Sequence, residues 1–102
     1  MSNRQVYPNT MTIGGEVTEV TDLGMTNNHG RKVILTVCNP HRERRAYNLI
    51  IKVALYGHVA RNFMEKHATS YPSIVFTGRM ATERDGRMFV VANVLHELVE
   101  AS

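Results

Sequence analysis

Between Arg31 and Arg87 the sequence places eleven Lys or Arg residues against four Asp or Glu, a net +7, while the two ends of the chain together carry −4. The cations are Arg31, Lys32, Arg42, Arg44, Arg45, Lys52, Arg61, Lys66, Arg79, Arg84 and Arg87. A charge imbalance of this kind in the middle of a 102-residue chain suits it to neutralising a polyanion, because each Lys or Arg that meets a phosphate releases a condensed counterion. On charge alone, ordinary solvated side chains explain it equally well. The densest run is His41-Arg42-Glu43-Arg44-Arg45-Ala46, which fits a phosphate contact and an exposed hairpin tip alike. Tyr56 adds an aromatic face on which a base can stack; packing at the start of a helix is the alternative for the same ring.

Other chemistries are poorly supported. Cys38-Asn39-Pro40-His41 has the Cys-x-x-His spacing, but no second pair completes four ligands, so no structural metal is expected. His58 and His67 fall at the two ends of an expected helix, where His67 would complement the negative end of the dipole. Cys38, the one cysteine, cannot form an internal disulfide and reads as a small strand residue in a reducing compartment. No nucleophile elbow, phosphate-binding glycine loop or paired-carboxylate pattern is present, so neither an enzyme nor a cofactor is expected. No apolar run approaches the roughly 20 residues of a membrane helix, and the N-terminus lacks an apolar export segment. The expectation is a soluble cytoplasmic protein with no membrane contact.

These residues must be positioned by strands. Tyr47 to Leu55 alternates, with Tyr47, Leu49, Ile51, Val53 and Leu55 expected inward and Asn48, Ile50, Lys52, Ala54 and Tyr56 outward. After Gly57 the spacing becomes helical through Val59, Ala60, Phe63, Met64 and His67. Ahead of that switch, strand one is expected over Thr10 to Val20, with Met11, Ile13, Val17 and Val20 inward and Gly14-Gly15 marking a bulge or bend. A turn-rich connection, Asp22 to Gly30, leads to strand two over Arg31 to Cys38, with Val33, Leu35 and Val37 on one side. Ser70-Tyr71-Pro72 reads as a turn before strand four, Ser73 to Thr82, which points Ile74, Phe76 and Met80 one way and bends at Gly78. Asp85-Gly86 signals a hairpin into strand five, Met88 to Leu95, whose apolar residues occupy both parities and leave its inward face unassigned. Met11, Met64, Met80 and Met88 read as core fillers. Ile34 and Ile50, on outer positions, read as an oligomer contact or a second small core.

Size allows one domain: residues 1–9 as a loose arm, 10–98 as the folded unit and 99–102 as its end. Five strands with one short helix between the third and fourth make an all-β chain of the partly open Greek-key barrel type called the OB-fold, a frequent carrier of oligonucleotide sites.

Three stretches then bring out a likeness. Ile13-Gly14-Gly15-Glu16-Val17, Val53 to Ala60 with Phe63-Met64-Glu65-Lys66, and Val75 to Met80 followed by Asp85-Gly86-Arg87 together resemble the DNA-binding core of bacterial single-stranded DNA-binding proteins. The resemblance covers roughly residues 10–98 and implies an OB-fold that holds single-stranded DNA without catalysis and with little sequence preference. It also implies a homo-oligomer, dimer or tetramer, with strand one as a subunit edge and replication or repair proteins as partners. Departures are plain: the chain has no Trp, Tyr56 keeps one aromatic place, and His41 and Ile50 stand where two other stackers are expected. A stacked base contributes about 1–3 kcal/mol, so fewer platforms mean weaker binding. The last hairpin is also short, and the linker with an acidic tip that such proteins carry is not expected here. The expected contacts are Lys32, Arg42, Arg44, Arg45, Lys52, Tyr56, Arg79, Arg84 and Arg87. The alternative is an OB-fold accessory module acting mainly through protein contacts in replication restart; RNA as the ligand is the more remote one.

Overall fold

Period-2 alternation becomes five strands in a computed structural model that describes residues 7–27, 30–67 and 73–97. They are β1 (Met11–Thr26), β2 (Gly30–Asn39), β3 (Leu49–Tyr56), β4 (Ser73–Thr82) and β5 (Met88–Glu97), with helix α1 (Gly57–His67) between β3 and β4 and a 3-10 turn at Arg45–Tyr47. The strand order is β1-β2-β3-β5-β4, closed into a barrel rather than partly open. Closure depends on β1, which pairs with β4 over Met11 to Glu16 and with β2 from Glu16 to Thr26, so each half is paired along one edge. The other seam is short: parallel β3 and β5 meet at Val53↔Val90 and Ala54↔Val91.

The barrel interior is filled by Val33, Leu35 and Val37 of β2, Val53 and Leu55 of β3, Phe76 of β4 and Val90 of β5. Each such side chain contributes about 1.5–3 kcal/mol by leaving water. One end is plugged by α1, whose Ala60 and Phe63 are buried in the same cluster. The turn from β3 into α1 is made at Gly57, which has φ +59°, a left-handed conformation that a side chain would strain. His67 packs its ring 5.2 Å from that of Phe63, so it contributes packing at the helix end.

Several expectations change, each for a local reason. β1 does not end near Val20 but runs to Thr26, because the hairpin with β2 stays paired to Thr26↔Gly30; Asn28 and His29 of the expected connection lie outside the described residues. No bulge falls at Gly14-Gly15. The glycines are there for space, since a Cβ on Gly15 would meet the Cys38 carbonyl oxygen at 2.5 Å. The bulges come later, with Thr18 and Leu23 as the extra residues. β3 begins at Leu49, where β2 also ends, so Tyr47 and Leu49 have no core to cover and are exposed. β5 carries one extra residue, Asn93, between Thr77↔Val94 and Gly78↔Ala92. Its inward set therefore passes from even Val90 and Ala92 to odd Leu95, which is why alternation could not assign a face. Met88 is exposed rather than core, unlike Met11, Met64 and Met80, which pack against the cluster.

Asn9, at the end of the expected arm, is tied to β4: its side-chain amide donates to the Met80 carbonyl at 3.0 Å and accepts from the Met80 amide at 3.1 Å. Residues 1–6, the Ser70-Tyr71-Pro72 turn and the chain end 99–102 lie outside the described residues. Among the described residues no helix is long and apolar enough to cross a membrane.

Candidate nucleic-acid interface

The outer face of the β2–β3 pair is set by its register, which stacks Lys32 on Tyr56, Ile34 on Ala54 and Thr36 on Lys52. Opposite rises the β4–β5 hairpin, closed by Glu83 N to Arg87 O and Gly86 N to Glu83 O, both 2.9 Å. Between them lies a groove of about 300 Å³ lined by Leu23, Lys32, Ile34, Lys52, Ala54, Glu83, Arg87, Met88 and Phe89. Its floor is apolar and its rim carries three cations and one carboxylate, a composition suited to bases below and phosphates above.

Each cation is held differently. Lys32 reaches over the Tyr56 ring, its Nζ 5.5 Å from the centroid, so the tyrosine that begins the turn into α1 also orients a groove lysine. Lys52 Nζ donates to Thr36 Oγ1 at 2.6 Å, which satisfies a buried hydroxyl and leaves other ammonium protons for a ligand. Arg87 Nε lies 3.2 Å from Asp85 Oδ2, so part of its charge is compensated within the hairpin.

Of the sequence-derived contacts, Lys32, Lys52 and Arg87 line the groove together, with Tyr56 against Lys32. Arg79 stands on β4 beside Val91, exposed but outside the groove lining, as is Arg84 near the hairpin tip. Arg42, Arg44 and Arg45 occupy the β2–β3 connection, all exposed. Because β3 and β5 run parallel in register, the segments that precede them, this connection and the β4–β5 hairpin, emerge at the same end of the barrel.

That connection is built rather than slack. His41 N donates to Asn48 Oδ1 at 2.8 Å, and His41 Nδ1 accepts from the amides of Glu43 (3.2 Å) and Arg44 (3.1 Å). Tyr47 N and Asn48 N close the 3-10 turn on the carbonyls of Arg44 and Arg45. His41, placed by sequence among the stackers, thus uses one ring nitrogen to shape the loop.

Leu23 and Phe89 were missed. Leu23 is the extra residue of a β1 bulge, and a bulge re-aims its side chain, here into the groove; read as part of a turn, it carried no such signal. Phe89 was hidden by the register slip in β5. Ile34 is half-buried in the groove lining, forming a second small apolar layer with Ala54, while Ile50 is 59% exposed. Among the described residues no three His, Cys, Asp or Glu side chains are grouped to hold a metal ion.

No protein-family model matches the chain, and no curated protein matches its sequence. Solved structures do. A single-stranded DNA-binding (SSB) domain from Synechococcus superposes with a TM-score of 0.72 at 16% identity, covering 92% of this chain and 100% of that one. The second single-stranded DNA-binding protein of Mycobacterium smegmatis gives 0.70 at 18%, covering 94% and 99%. The dimeric N-terminal domain of PriB from Thermoanaerobacter tencongensis gives 0.70 at 14%, covering 90% and 98%. The likeness seen in three short stretches of sequence therefore extends through the whole barrel, and the chain has the OB-fold of single-stranded DNA-binding domains.

Proposed function

We propose that this protein binds single-stranded DNA without catalysis and with little sequence preference, in replication, recombination or repair in the cytoplasm. The observation that carries the reading is the groove, where Lys32, Lys52 and Arg87 rim an apolar floor of Leu23, Ile34 and Phe89. Phosphates meet the lysines and Arg87, with Arg42, Arg44, Arg45, Arg79 and Arg84 extending the basic surface, while Tyr56 and Phe89 offer the aromatic contacts. A homo-oligomer, dimer or tetramer, fits the same reading, since among the described residues each half of β1 pairs with a strand along one edge only.

Fluorescence anisotropy with labelled oligo(dT) at two salt concentrations tests it. Affinity should fall steeply with salt, and Lys52→Glu should weaken binding and flatten the log–log salt slope by about 0.7 for each phosphate that is no longer neutralised. Absence of binding at low salt would overturn the reading. A second reading, an accessory module acting mainly through protein contacts in replication restart, has in its favour the exposed Leu49 and Ile50 beside the basic loop. Capture of a replication protein without nucleic acid, together with feeble single-strand affinity, would select it.

A further inference from the structure

Glu83 is the one acidic residue in the lining of a groove whose other charges are Lys32, Lys52 and Arg87. A carboxylate repels phosphates, so on a surface that gathers them it needs a different role. It is not paired with a neighbour. Arg87, opposite it across the β4–β5 hairpin, is held by Asp85 at 3.2 Å instead, and among the described residues the Glu83 carboxylate makes no ion pair or hydrogen bond. The main chain that carries it is fixed: its amide donates to the Arg87 carbonyl and its carbonyl accepts from the Gly86 amide, both at 2.9 Å. Register puts Glu83 on the same face as Ala81 and Phe89, which pair just beyond Thr82↔Met88. Phe89 is thus its diagonal neighbour across the hairpin, about 7–8 Å away, so a base lying on the Phe89 ring turns its edge toward the carboxylate.

What that edge must carry follows from the chemistry of a carboxylate, which accepts hydrogen bonds through both oxygens and donates none. Guanine offers two adjacent donors, N1–H and the 2-amino group. Thymine offers N3–H between two carbonyl oxygens that the carboxylate repels, and cytosine and adenine offer one amino group beside a ring acceptor. We propose that Glu83 reads base identity in the groove, favouring guanine, whose paired donors meet both carboxylate oxygens, over thymine. The inference rests on the single-strand binding proposed above and superimposes on it a preference at one base position.

Anisotropy competition at low salt compares oligo(dT) with the same oligomer carrying isolated dG residues, too sparse to pair with one another, and with dI in their place, which keeps N1–H and lacks the 2-amino group. Wild type should hold the dG oligomer about fivefold tighter than oligo(dT), the low end for a bidentate base contact because Glu83 is exposed, and dI should lose most of that gain. Glu83→Gln, whose amide replaces one acceptor with a donor, should remove the preference. Glu83 lies outside the core, so circular dichroism of the variant should match wild type. If Glu83→Gln binds every oligomer more tightly by the same factor and keeps the preference, the carboxylate only repels phosphate and the inference is overturned. A wild type that binds the dG oligomer and oligo(dT) equally also overturns it, and the groove reading stands in both cases. If the wild type binds neither at low salt, both fall together.

Discussion

Arg31 and Lys32 are adjacent cations on β2 with different surroundings. Lys32 lies over Tyr56 in the groove, whereas Arg31 donates through Nη2 to Asp22 Oδ2 across the β1–β2 hairpin. That hydrogen bond, with a second from the Gly24 amide, holds the Asp22 carboxyl below its ordinary value, and Arg31 is raised in return. A carboxylate with a depressed folded value stabilises the fold above the unfolded value near pH 4, and the contribution is lost as pH falls through the folded value. Thermal melts of wild type and Asp22→Asn should therefore differ by a constant amount from pH 5 to 8 and converge below about pH 4. Arg31 keeps its charge throughout that window, so the change belongs to Asp22. A wild-type advantage that persisted into strong acid would contradict the assignment. Residue types alone offered Arg31 as one more cation; only the hairpin register brings Asp22 to it, nine positions away.

Elements were legible where one face is buried. β2 matches its expected alternation because Val33, Leu35 and Val37 all point into the barrel, and α1 appears where helical spacing begins. Alternation failed where an extra residue shifts the register, as at Leu23 and Asn93, and where the partner strand ends, as at Tyr47. Those same places hold most of what sequence missed in the candidate site. The basic residues could be named from composition, but Leu23 and Phe89 reach the groove through irregularities that period-2 reading does not see. The strand-to-helix corner supports a prediction on stability. Phe63→Ala leaves a cavity under α1 and should cost about 3–5 kcal/mol, while Gly57→Ala should cost about 1–2 kcal/mol through its positive φ alone. Denaturant melts of the two variants measure both, and a Gly57→Ala protein as stable as wild type would mean that the corner relaxes to another conformation.

At the scale of the whole molecule, the barrel brings cations of two strands and of the β4–β5 hairpin to one groove and two loops of arginines to one end, though these are spread from Lys32 to Arg87 in sequence. That convergence follows from β5 entering between β3 and β4, a crossover that no local pattern encodes. The handover of β1 at Glu16 also has a consequence in time. The second half of β1 can zip with β2 as soon as a short hairpin loop closes, and β3 can follow. The first half, Met11 to Glu16, has no partner until β4 arrives roughly sixty residues later. Pulse-labelled hydrogen exchange during refolding should thus protect those amides of the second half of β1 that face β2 before those of the first half that face β4; simultaneous protection would mean that the barrel closes in one step. Until closure, Met11 and Ile13 form an open apolar strand, the segment by which two incompletely folded copies would join, so the rate at which β4 docks sets how much chain is lost to aggregation.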